Sequence, residues 1–270
     1  MAGAGTTTHP ALDPLTALAV RAAAAGAAIH RAGLGRVQQV GTKSSPTDMV
    51  TEVDGEAERV IVATIAAERP DDAMLCEEEV RRDGTTGVRW IIDPLDGTTN
   101  YLYRFPAFAV SIGVEVDGRR AVGVVHDSAT GRVYVGVAGG RATCDGSPLH
   151  VRDHGELATA LLATGFLPYP DDRARQADVL RHVLPRVRDI RRAGSAALDL
   201  CAVAAGRLDG YYEYGLGEWD VAAGLVIAEA AGARAVAVPV PGAAGPLIVV
   251  ASPRLLDPLV DLLRAAGLGA

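Results

Sequence analysis

The hydrophobic pattern of the chain changes near residue 155, and this change limits the folds open to it. In the first half, strand-like segments are separated by turn-forming pairs such as Asp117-Gly118, which is typical of an antiparallel meander. In the second half, strand-like and helix-like segments alternate, which is typical of α/β folds. The pattern therefore predicts a mixed α+β and α/β fold, with a meander first and alternating elements after it.

Two helices are predicted before the meander, because apolar residues recur there at helical spacing. One spans residues 13–34 and is ended by Gly33 and Gly35, and the other runs from Met49 to near Pro70. Strands are predicted at residues 73–76, 88–92, 108–116, 121–126, 132–137, 160–164, 189–191, 208–213 and 247–250. Further helices are predicted at residues 173–184, 195–205, 221–231 and 253–266.

The length and composition are those of a chain with a large core. With 270 residues, 49% of them hydrophobic, it fits one large domain or two closely joined ones. We expect a disordered tail at residues 1–12, an N-terminal α+β subdomain at 13–155 and a C-terminal α/β subdomain at 156–270. No linker or repeat separates the two subdomains, so we expect a site at their junction.

Composition also disfavours several classes of protein. The net charge of −7 argues against general nucleic-acid binding. The three cysteines, Cys76, Cys144 and Cys201, are far apart and form no CxxC pair, which fits a reducing cytoplasm. The most apolar early stretch, residues 17–29, is shorter than the roughly 20 residues of a membrane span. We therefore expect a cytoplasmic protein without a membrane segment.

Two acidic residues follow an apolar strand-like run in the segment WIIDPLDGTTN, at residues 90–100. Pro94 disfavours helix at Asp93, so the chain is expected to leave the strand there in a rigid turn. Such a turn directs the carboxylates of Asp93 and Asp96, and the Leu95 carbonyl, toward one point. Hard cations such as Mg²⁺ prefer these oxygens, and the segment therefore predicts a metal site.

The residues after Asp96 suit the binding of a phosphate group. Gly97 lets a backbone amide approach a ligand closely. Thr98, Thr99 and Asn100 indicate the first turn of a helix, whose free N–H groups can hold a phosphate. We expect the acids and the amides to face the same phosphate.

Three other acidic residues have ordinary structural explanations that compete with a role in the site. Glu77 belongs to a charge run, for which a solvated surface is the default, but it follows a predicted strand near the Asp93 turn. Asp48 and Asp220 each lie at the start of a predicted helix, where capping is a sufficient explanation. Capping and metal binding are compatible, so both roles stay open.

Motifs of other enzyme classes fail on spacing. The acids at 93 and 96 are three apart, whereas phosphatases that form an aspartyl phosphate use D-x-D-x-T, with acids two apart. Gln38 stands where a dinucleotide fingerprint needs its third glycine, and the sequence has no Gly-Lys pair for a P-loop. Ser195 lacks the G-x-S-x-G elbow of α/β-hydrolases.

With these acids placed, the chain resembles the inositol monophosphatase family of Mg²⁺-dependent, lithium-sensitive phosphatases. The resemblance covers nearly the whole length. Four segments carry it: KSSPTDMVTEVD at residues 43–54, CEE at 76–78, WIIDPLDGTTNY at 90–101, and residues 192–232 with Glu213 and Trp219-Asp220.

The resemblance implies a layered αβαβα sandwich of the sugar-phosphatase type, a homodimer, and two or three Mg²⁺ per active site. It assigns roles to matching residues of this chain. The implied metal ligands are Glu77, Asp93, the Leu95 carbonyl, Asp96 and Asp220. The implied catalytic residues are Thr98, with Asp48 as its partner in orienting the attacking water, and Glu77. The implied substrate contacts are Asp96, Gly97, Thr98, Thr99, Gly194, Ser195, Ala196 and Glu213.

These roles lead to the hypothesis of a phosphate monoester hydrolase in which a metal-activated water attacks directly. Inositol-1-phosphate is the favoured substrate, because Glu213 can accept hydrogen bonds from ring hydroxyls and residues 191–232 resemble inositol-type members. Histidinol phosphate, fructose 1,6-bisphosphate and adenosine 3′,5′-bisphosphate are alternatives within the family. A regulatory binding module of the transcription machinery is an alternative of another class, which the lack of a basic surface disfavours.

Overall fold

The fold is built from alternating layers of helices and sheets, and the computed structural model describes it for residues 12–37, 40–45, 49–243 and 245–269. The helices of these ranges are α1 (Asp13–Gly33), α2 (Glu52–Ala66), α3 (Thr98–Tyr103), α4 (Pro170–Val183), α5 (Ala196–Ala204), α6 (Glu218–Ala230) and α7 (Leu256–Ala265). The strands are β1 (Val40–Thr42), β2 (Met49–Thr51), β3 (Ala73–Cys76), β4 (Arg81–Arg82), β5 (Val88–Asp96), β6 (Ala109–Val116), β7 (Arg119–Asp127), β8 (Val133–Val137), β9 (Ala142–Cys144), β10 (Ser147–Pro148), β11 (Leu161–Thr164), β12 (Asp189–Arg191), β13 (Gly210–Tyr214), β14 (Arg234–Val238) and β15 (Leu247–Ala251).

The first half of the chain forms an eight-stranded sheet in the order β10-β9-β8-β7-β6-β5-β3-β4. Neighbouring strands pair antiparallel throughout, apart from β3 and β5, which are parallel. The carboxyl ends of β3 and β5 therefore lie side by side at one edge of the sheet. The predicted antiparallel meander is confirmed by β5 to β8.

The second half forms a five-stranded sheet in the order β12-β11-β13-β15-β14. Strands β12, β11 and β13 are parallel, while β13, β15 and β14 pair antiparallel. A short hairpin, β1 with β2, stands apart from both sheets.

Helices cover both sheets and fill the space between them. Helices α1 and α2 pack on one face of the large sheet, and α6 packs on its other face. Helix α5 contacts α6 and lies against the smaller sheet, while α4 and α7 cover the outer face of that sheet. The layers thus alternate as α, β, α, β, α, which confirms the predicted sandwich.

Three glycines allow α6 to lie directly on the large sheet. A Cβ atom at Gly123 of β7 would stand 2.2 Å from the backbone oxygen of Ala223, and Gly113 and Gly136 on neighbouring strands are similarly crowded by α6. Contacts this short exclude any side chain, because heavy atoms cannot approach to that distance. The glycines therefore bring α6, which begins at Glu218, close to the strands that carry the acidic turn.

The structure corrects three sequence predictions. Strand β5 does not end before Asp93 but continues to Asp96, with a register shift against β6 between these two residues. The bulge gives Pro94 a place without a ladder hydrogen bond, so the strand resumes after it. Met49–Thr51 is a strand rather than the start of α2, because its residues pair with β1. Strand β14 was not predicted.

Two predictions about organisation stay predictions. The expected tail at residues 1–12 lies outside the described residues, apart from Leu12, and the division of the chain at residues 155 and 156 is not tested. Among the helices that the structure describes, none combines the length and apolar character required to cross a bilayer.

Candidate metal centre

The bulge in β5 places two buried acids close to the second half of the chain. Asp93 is 2% exposed, and its Oδ1 accepts a hydrogen bond of 3.0 Å from the Leu95 amide. Asp96 is 8% exposed, and its Oδ2 accepts hydrogen bonds from Ser195 Oγ at 2.5 Å and Ala197 N at 2.8 Å. Asp96 thus caps the N-terminus of α5 rather than α3, whose N-cap position is held by Gly97.

Glu77 lies beside this bulge because β3 and β5 are parallel neighbours. Its amide donates to Ile92 O at 3.1 Å, so the residue after β3 is held against the end of β5. Lys43 Nζ donates to Glu77 Oε1 at 2.7 Å and to Glu78 Oε1 at 2.5 Å. Burial lowers the pKa of Lys43, but the charges and hydrogen bonds of these two glutamates outweigh burial and raise it overall.

Asp220 approaches the same acids from the first turn of α6. The helix begins at Glu218, three residues before the predicted start, so Asp220 is not its N-cap. Instead, the Asp220 carboxylate accepts a hydrogen bond of 2.6 Å from Gly217 N. Glu218 pairs with Arg89 of β5 at 2.8 Å, which fastens this end of α6 to the large sheet.

The four acids interact electrostatically. Burial raises the pKa of Asp93 well above its ordinary value, and the charges of Glu77 and Asp96 raise it further. Burial raises the pKa of Asp96 to about 6, although its hydrogen bond from Ser195 opposes this. The pKa of Asp220 is also raised well above its usual range by burial and by the charge of Asp96. Such shifts arise when carboxylates are brought together away from water without enough positive charge.

The chemistry of this donor set fits a hard divalent cation. The predicted ligands Glu77, Asp93, Asp96 and Asp220, and the Leu95 carbonyl, offer oxygen atoms alone. No group of three or more His, Cys, Asp or Glu side chains in the described ranges is already arranged as a metal cage. Like charges repel, so drawing these oxygens to one point requires a cation between them.

Thr98 lies at the start of α3, directly beside the acids. Its hydroxyl lies 2.9 Å from Asp54 Oδ1 and 3.1 Å from Leu95 O, and it can donate to either. The other oxygen of Asp54 accepts hydrogen bonds from the amide and hydroxyl of Thr51. Burial raises the pKa of Asp54, although these hydrogen bonds oppose the rise. Asp48, the predicted partner of Thr98, lies outside the described residues, so its role stays a prediction; among the described residues, Asp54 accepts the Thr98 hydroxyl hydrogen.

The ring of His30 contacts the backbone of the acidic bulge. Its Nε2–H donates to Pro94 O at 2.9 Å, and its Nδ1 then accepts from Ser128 Oγ at 2.8 Å. Burial lowers the pKa of His30 to about 4, so the ring is neutral at pH 7. Tyr101 of α3 donates to His30 O at 2.8 Å, which links the helix after the bulge to the same residue.

The predicted substrate contacts from the second half of the chain lie near Asp96, which accepts from Ser195 and whose charge raises the pKa of Glu213. Gly194 has φ of 89°, and the neighbouring Asn100 side chain donates to Ala193 O at 2.8 Å. Ser195 is the N-cap of α5, and Ala196 is its first residue. Glu213 accepts a hydrogen bond of 2.7 Å from Tyr211, and burial raises its pKa to about 7.

The Glu213 carboxylate can occupy its position only because residue 165 is a glycine. A Cβ atom at Gly165 would stand 2.1 Å from each oxygen of the Glu213 carboxylate. The carboxylate therefore lies flat against the backbone of the loop that follows β11. Any larger residue at position 165 would force this acid to move.

Comparison with known proteins decides the family. Residues 11–254 match the model of the inositol monophosphatase family. The chain belongs to the inositol monophosphatase family. An inositol-1-monophosphatase of Mycobacterium bovis is 48% identical over 87% of this chain and 84% of its own length. A Nus factor SuhB of Pasteurella multocida is 39% identical over 82% of this chain and 84% of its own length.

A solved structure agrees with this assignment. The extragenic suppressor protein suhB of Bartonella henselae superposes with a TM-score of 0.86 at 32% identity, over 96% of this chain and all of that one. The inositol monophosphatase fold, family and enzyme class predicted from the sequence are confirmed. The chain is therefore a phosphoric monoester hydrolase, and its family is generally metal-dependent.

Several residues that shape the site were not predicted from the sequence. Asp54 has a visible signal, because Thr51 and Asp54 have the T-x-x-D spacing of a helix capping box. Lys43 and His30 stand in sequence contexts that do not indicate a functional role. No local pattern connects these two residues to the acids, because their contacts form only when the chain folds.

Proposed function

We propose that this protein hydrolyses inositol-1-phosphate to inositol and phosphate in a Mg²⁺-dependent reaction. The observation that carries the proposal is the group of four interacting carboxylates beside the Thr98 hydroxyl, at the junction of the two sheets. The identity with inositol-1-monophosphatases supports the choice of substrate.

In this proposal Glu77, Asp93, Asp96, Asp220 and the Leu95 carbonyl hold two or three Mg²⁺. When bound, these ions supply positive charge that neutralises the phosphoryl oxygens and the leaving oxygen. The residues contribute by their placement: they come from two strands of one sheet and a helix of the middle layer, so their relative positions depend on the whole fold.

The attacking water is oriented by Thr98 and Asp54. The Thr98 hydroxyl already donates to Asp54 Oδ1, so its lone pairs can accept a hydrogen bond from a water on its other side. The raised pKa of Asp54 makes its carboxylate a better proton acceptor than an exposed aspartate. Glu77 faces the same space and would help to hold this water. No covalent phosphoenzyme is part of the proposal.

The substrate is divided between two groups of residues. Gly97, Thr98 and Thr99, at the start of α3, are proposed to face the phosphate, together with Asp96. Gly194, Ser195, Ala196 and Glu213 are proposed to face the polyol. Glu213 carries this part of the proposal, because its carboxyl oxygens can accept hydrogen bonds from ring hydroxyls.

A comparison of substrates tests the proposal. Phosphate release is measured from inositol-1-phosphate, histidinol phosphate, fructose 1,6-bisphosphate and adenosine 3′,5′-bisphosphate, each with Mg²⁺, with EDTA and with lithium. We expect the highest kcat/KM for inositol-1-phosphate and loss of release with either addition. A higher kcat/KM for another ester would contradict the assignment of inositol-1-phosphate as the substrate. Release that persists in EDTA would contradict the metal requirement.

We also propose that the enzyme is a cytoplasmic homodimer. Two aromatic side chains beside the site are exposed, Tyr103 by 80% and Phe105 by 53%, and large exposed apolar groups are typical of interfaces. Sedimentation of the wild-type protein and of a Tyr103→Ser, Phe105→Ser variant tests this. A dimer that the double substitution does not weaken would contradict this choice of surface.

A second function is suggested by relatives that carry the name Nus factor SuhB, among them that of Pasteurella multocida. If this chain is also a binding module of the transcription machinery, capture of RNA polymerase should survive Asp93→Asn. The same substitution is expected to abolish hydrolysis, so the two functions separate in one variant.

A further inference from the structure

Glu58 is a buried acid of α2 with an unusual set of partners. The residue is 2% exposed, and its carboxylate accepts hydrogen bonds from three consecutive backbone amides. Glu78 N donates to Oε2 at 3.0 Å, while Glu79 N and Val80 N each donate to Oε1 at 2.9 Å. Consecutive N–H groups that converge on an anion form a strong and directional contact.

These three amides belong to the turn that presents Glu77. The turn joins β3 to β4 and is closed by a hydrogen bond of 2.8 Å from Cys76 N to Val80 O. Glu77 immediately precedes the first of the three amides. The direction of the Glu77 side chain therefore depends on a backbone turn that is folded around the Glu58 carboxylate.

The same helix also controls the opposite part of the site. Asp54 lies four residues before Glu58, and residues at this spacing share one face of a helix. Asp54 accepts a hydrogen bond from the hydroxyl of Thr98, which follows β5. Glu58 accepts hydrogen bonds from the turn that follows β3. Helix α2 thus fastens the two strand ends that carry Glu77 and Asp93.

We propose that Glu58 is a positioning residue that sets the metal affinity of the site by fixing the turn that carries Glu77. The proposal rests on the metal centre of the proposed function. Glu58 reaches no substrate and binds no metal itself. Its effect passes through the backbone of residues 78–80 to Glu77.

A purely stabilising role makes a different prediction. If Glu58 only stabilised the fold, its loss would lower the free energy of unfolding without a specific change in metal binding. A positioning role instead raises the dissociation constant for the metal in protein that is still folded. Substitution of residues that orient metal ligands typically weakens metal binding by about 10- to 100-fold.

Two substitutions at Glu58 give a graded test. Glu58→Gln keeps a carbonyl oxygen that can accept two amides, but its NH₂ group cannot accept the third. Glu58→Met keeps a similar length and removes all the acceptors. The matched control is Asp209→Asn, since Asp209 is also 2% exposed and accepts a backbone amide, Leu161 N at 2.8 Å, in the other sheet.

The primary measurement is the dissociation constant for Mn²⁺, obtained by calorimetry on proteins whose folding is checked by circular dichroism. We expect it to rise by about tenfold in Glu58→Met, by less in Glu58→Gln, and not in Asp209→Asn. Hydrogen exchange of the amides of residues 78–80 should accelerate in the same order. The half-activating Mg²⁺ concentration should rise in parallel, while kcat at saturating Mg²⁺ stays near the wild-type value.

The outcomes separate this proposal from the proposed function. An unchanged Mn²⁺ constant in both Glu58 variants overturns the proposal, even if the wild-type enzyme hydrolyses inositol-1-phosphate. An equal rise in Asp209→Asn also overturns it, because that result would reflect general destabilisation. The graded rise in the Mn²⁺ dissociation constant supports it, even if the wild-type enzyme prefers another ester.

If Glu58→Met does not fold, the comparison of Glu58→Gln with Asp209→Asn decides. Absence of Mn²⁺ binding by the wild-type protein overturns it together with the metal centre.

Discussion

At the scale of single residues, the hydroxyl of Thr98 and the ring of His30 hold the acidic bulge of β5 in place. Thr98 contacts Leu95 O from one side, and His30 donates to Pro94 O from another. Both contacts hold backbone carbonyls between Asp93 and Asp96. The orientation of the two acids is therefore determined by neighbours that are not acids themselves.

Asp54, rather than Asp48, is expected to act with Thr98. Asp54→Asn removes the charged acceptor, and loss of a positioned base typically lowers kcat by about 100-fold or more. The matched control is Asp48→Asn, which should leave kcat near the wild-type value. Initial rates of phosphate release at saturating Mg²⁺ check both. A large loss in Asp48→Asn with a small loss in Asp54→Asn would restore the original prediction.

His30 should make stability depend on pH. Its folded pKa of about 4 lies below the unfolded value of 6.5, so the folded state binds fewer protons between these values. The free energy of unfolding therefore falls as pH drops from 6.5 to 4, by about 3 kcal/mol from this group, and the contribution is complete above 6.5.

Comparison with His30→Gln isolates this contribution, because the buried carboxylates with raised pKa act in both proteins and in the opposite direction. Urea unfolding at pH 4.5 and pH 7.5 gives the change in the free energy of unfolding for each of the two proteins. We expect the wild-type protein to lose more stability than the variant on acidification. Equal losses would show that His30 is not held neutral.

At the scale of elements, the close approach of α6 to the large sheet decides where Asp220 lies. The strand glycines that permit it cannot be recognised from alternation of apolar residues, since they look like weak points of a strand. The bulge in β5 is similar: Pro94 suggested the end of a strand, and only pairing with β6 shows that the strand resumes. Hydrophobic periodicity did predict α1, α7 and the meander, because their buried faces follow one simple repeat.

Gly123→Ala tests the packing of α6. Its Cβ would collide with the backbone of Ala223, which cannot rotate away, so we expect a loss of about 3 kcal/mol, the upper part of the range for overpacked cores. Gly55→Ala is the control, because no atom lies within 4 Å of that Cβ and alanine favours the interior of α2, by about 0.5–1 kcal/mol. Urea unfolding measures both, and equal effects of the two changes would contradict the packing described.

At the scale of the whole molecule, the site exists only because the two sheets are held together around it. Asp96 and the α5 residue Ala197 are 101 positions apart in the chain, yet their hydrogen bond joins the two halves. The sequence predicted that Asp93, Asp96 and Glu77 lie close together, because each follows a predicted strand, and in the structure their charges interact. It did not predict their partners. Lys43 and His30 reach the acids through tertiary contacts that have no local signature, and the capping-box spacing of Asp54 does not reveal its contact with Thr98.

The most direct test of the account is a Mg²⁺ titration of phosphate release from inositol-1-phosphate by the wild-type enzyme, Asp93→Asn and Asp209→Asn. Asp93 belongs to the acidic group, whereas Asp209 is a buried aspartate that immediately precedes β13 in the other sheet. The account predicts release that requires Mg²⁺ in the wild-type and Asp209→Asn proteins, and none at any Mg²⁺ concentration in folded Asp93→Asn. Near-normal kcat in Asp93→Asn, or wild-type release that is independent of Mg²⁺, would contradict it.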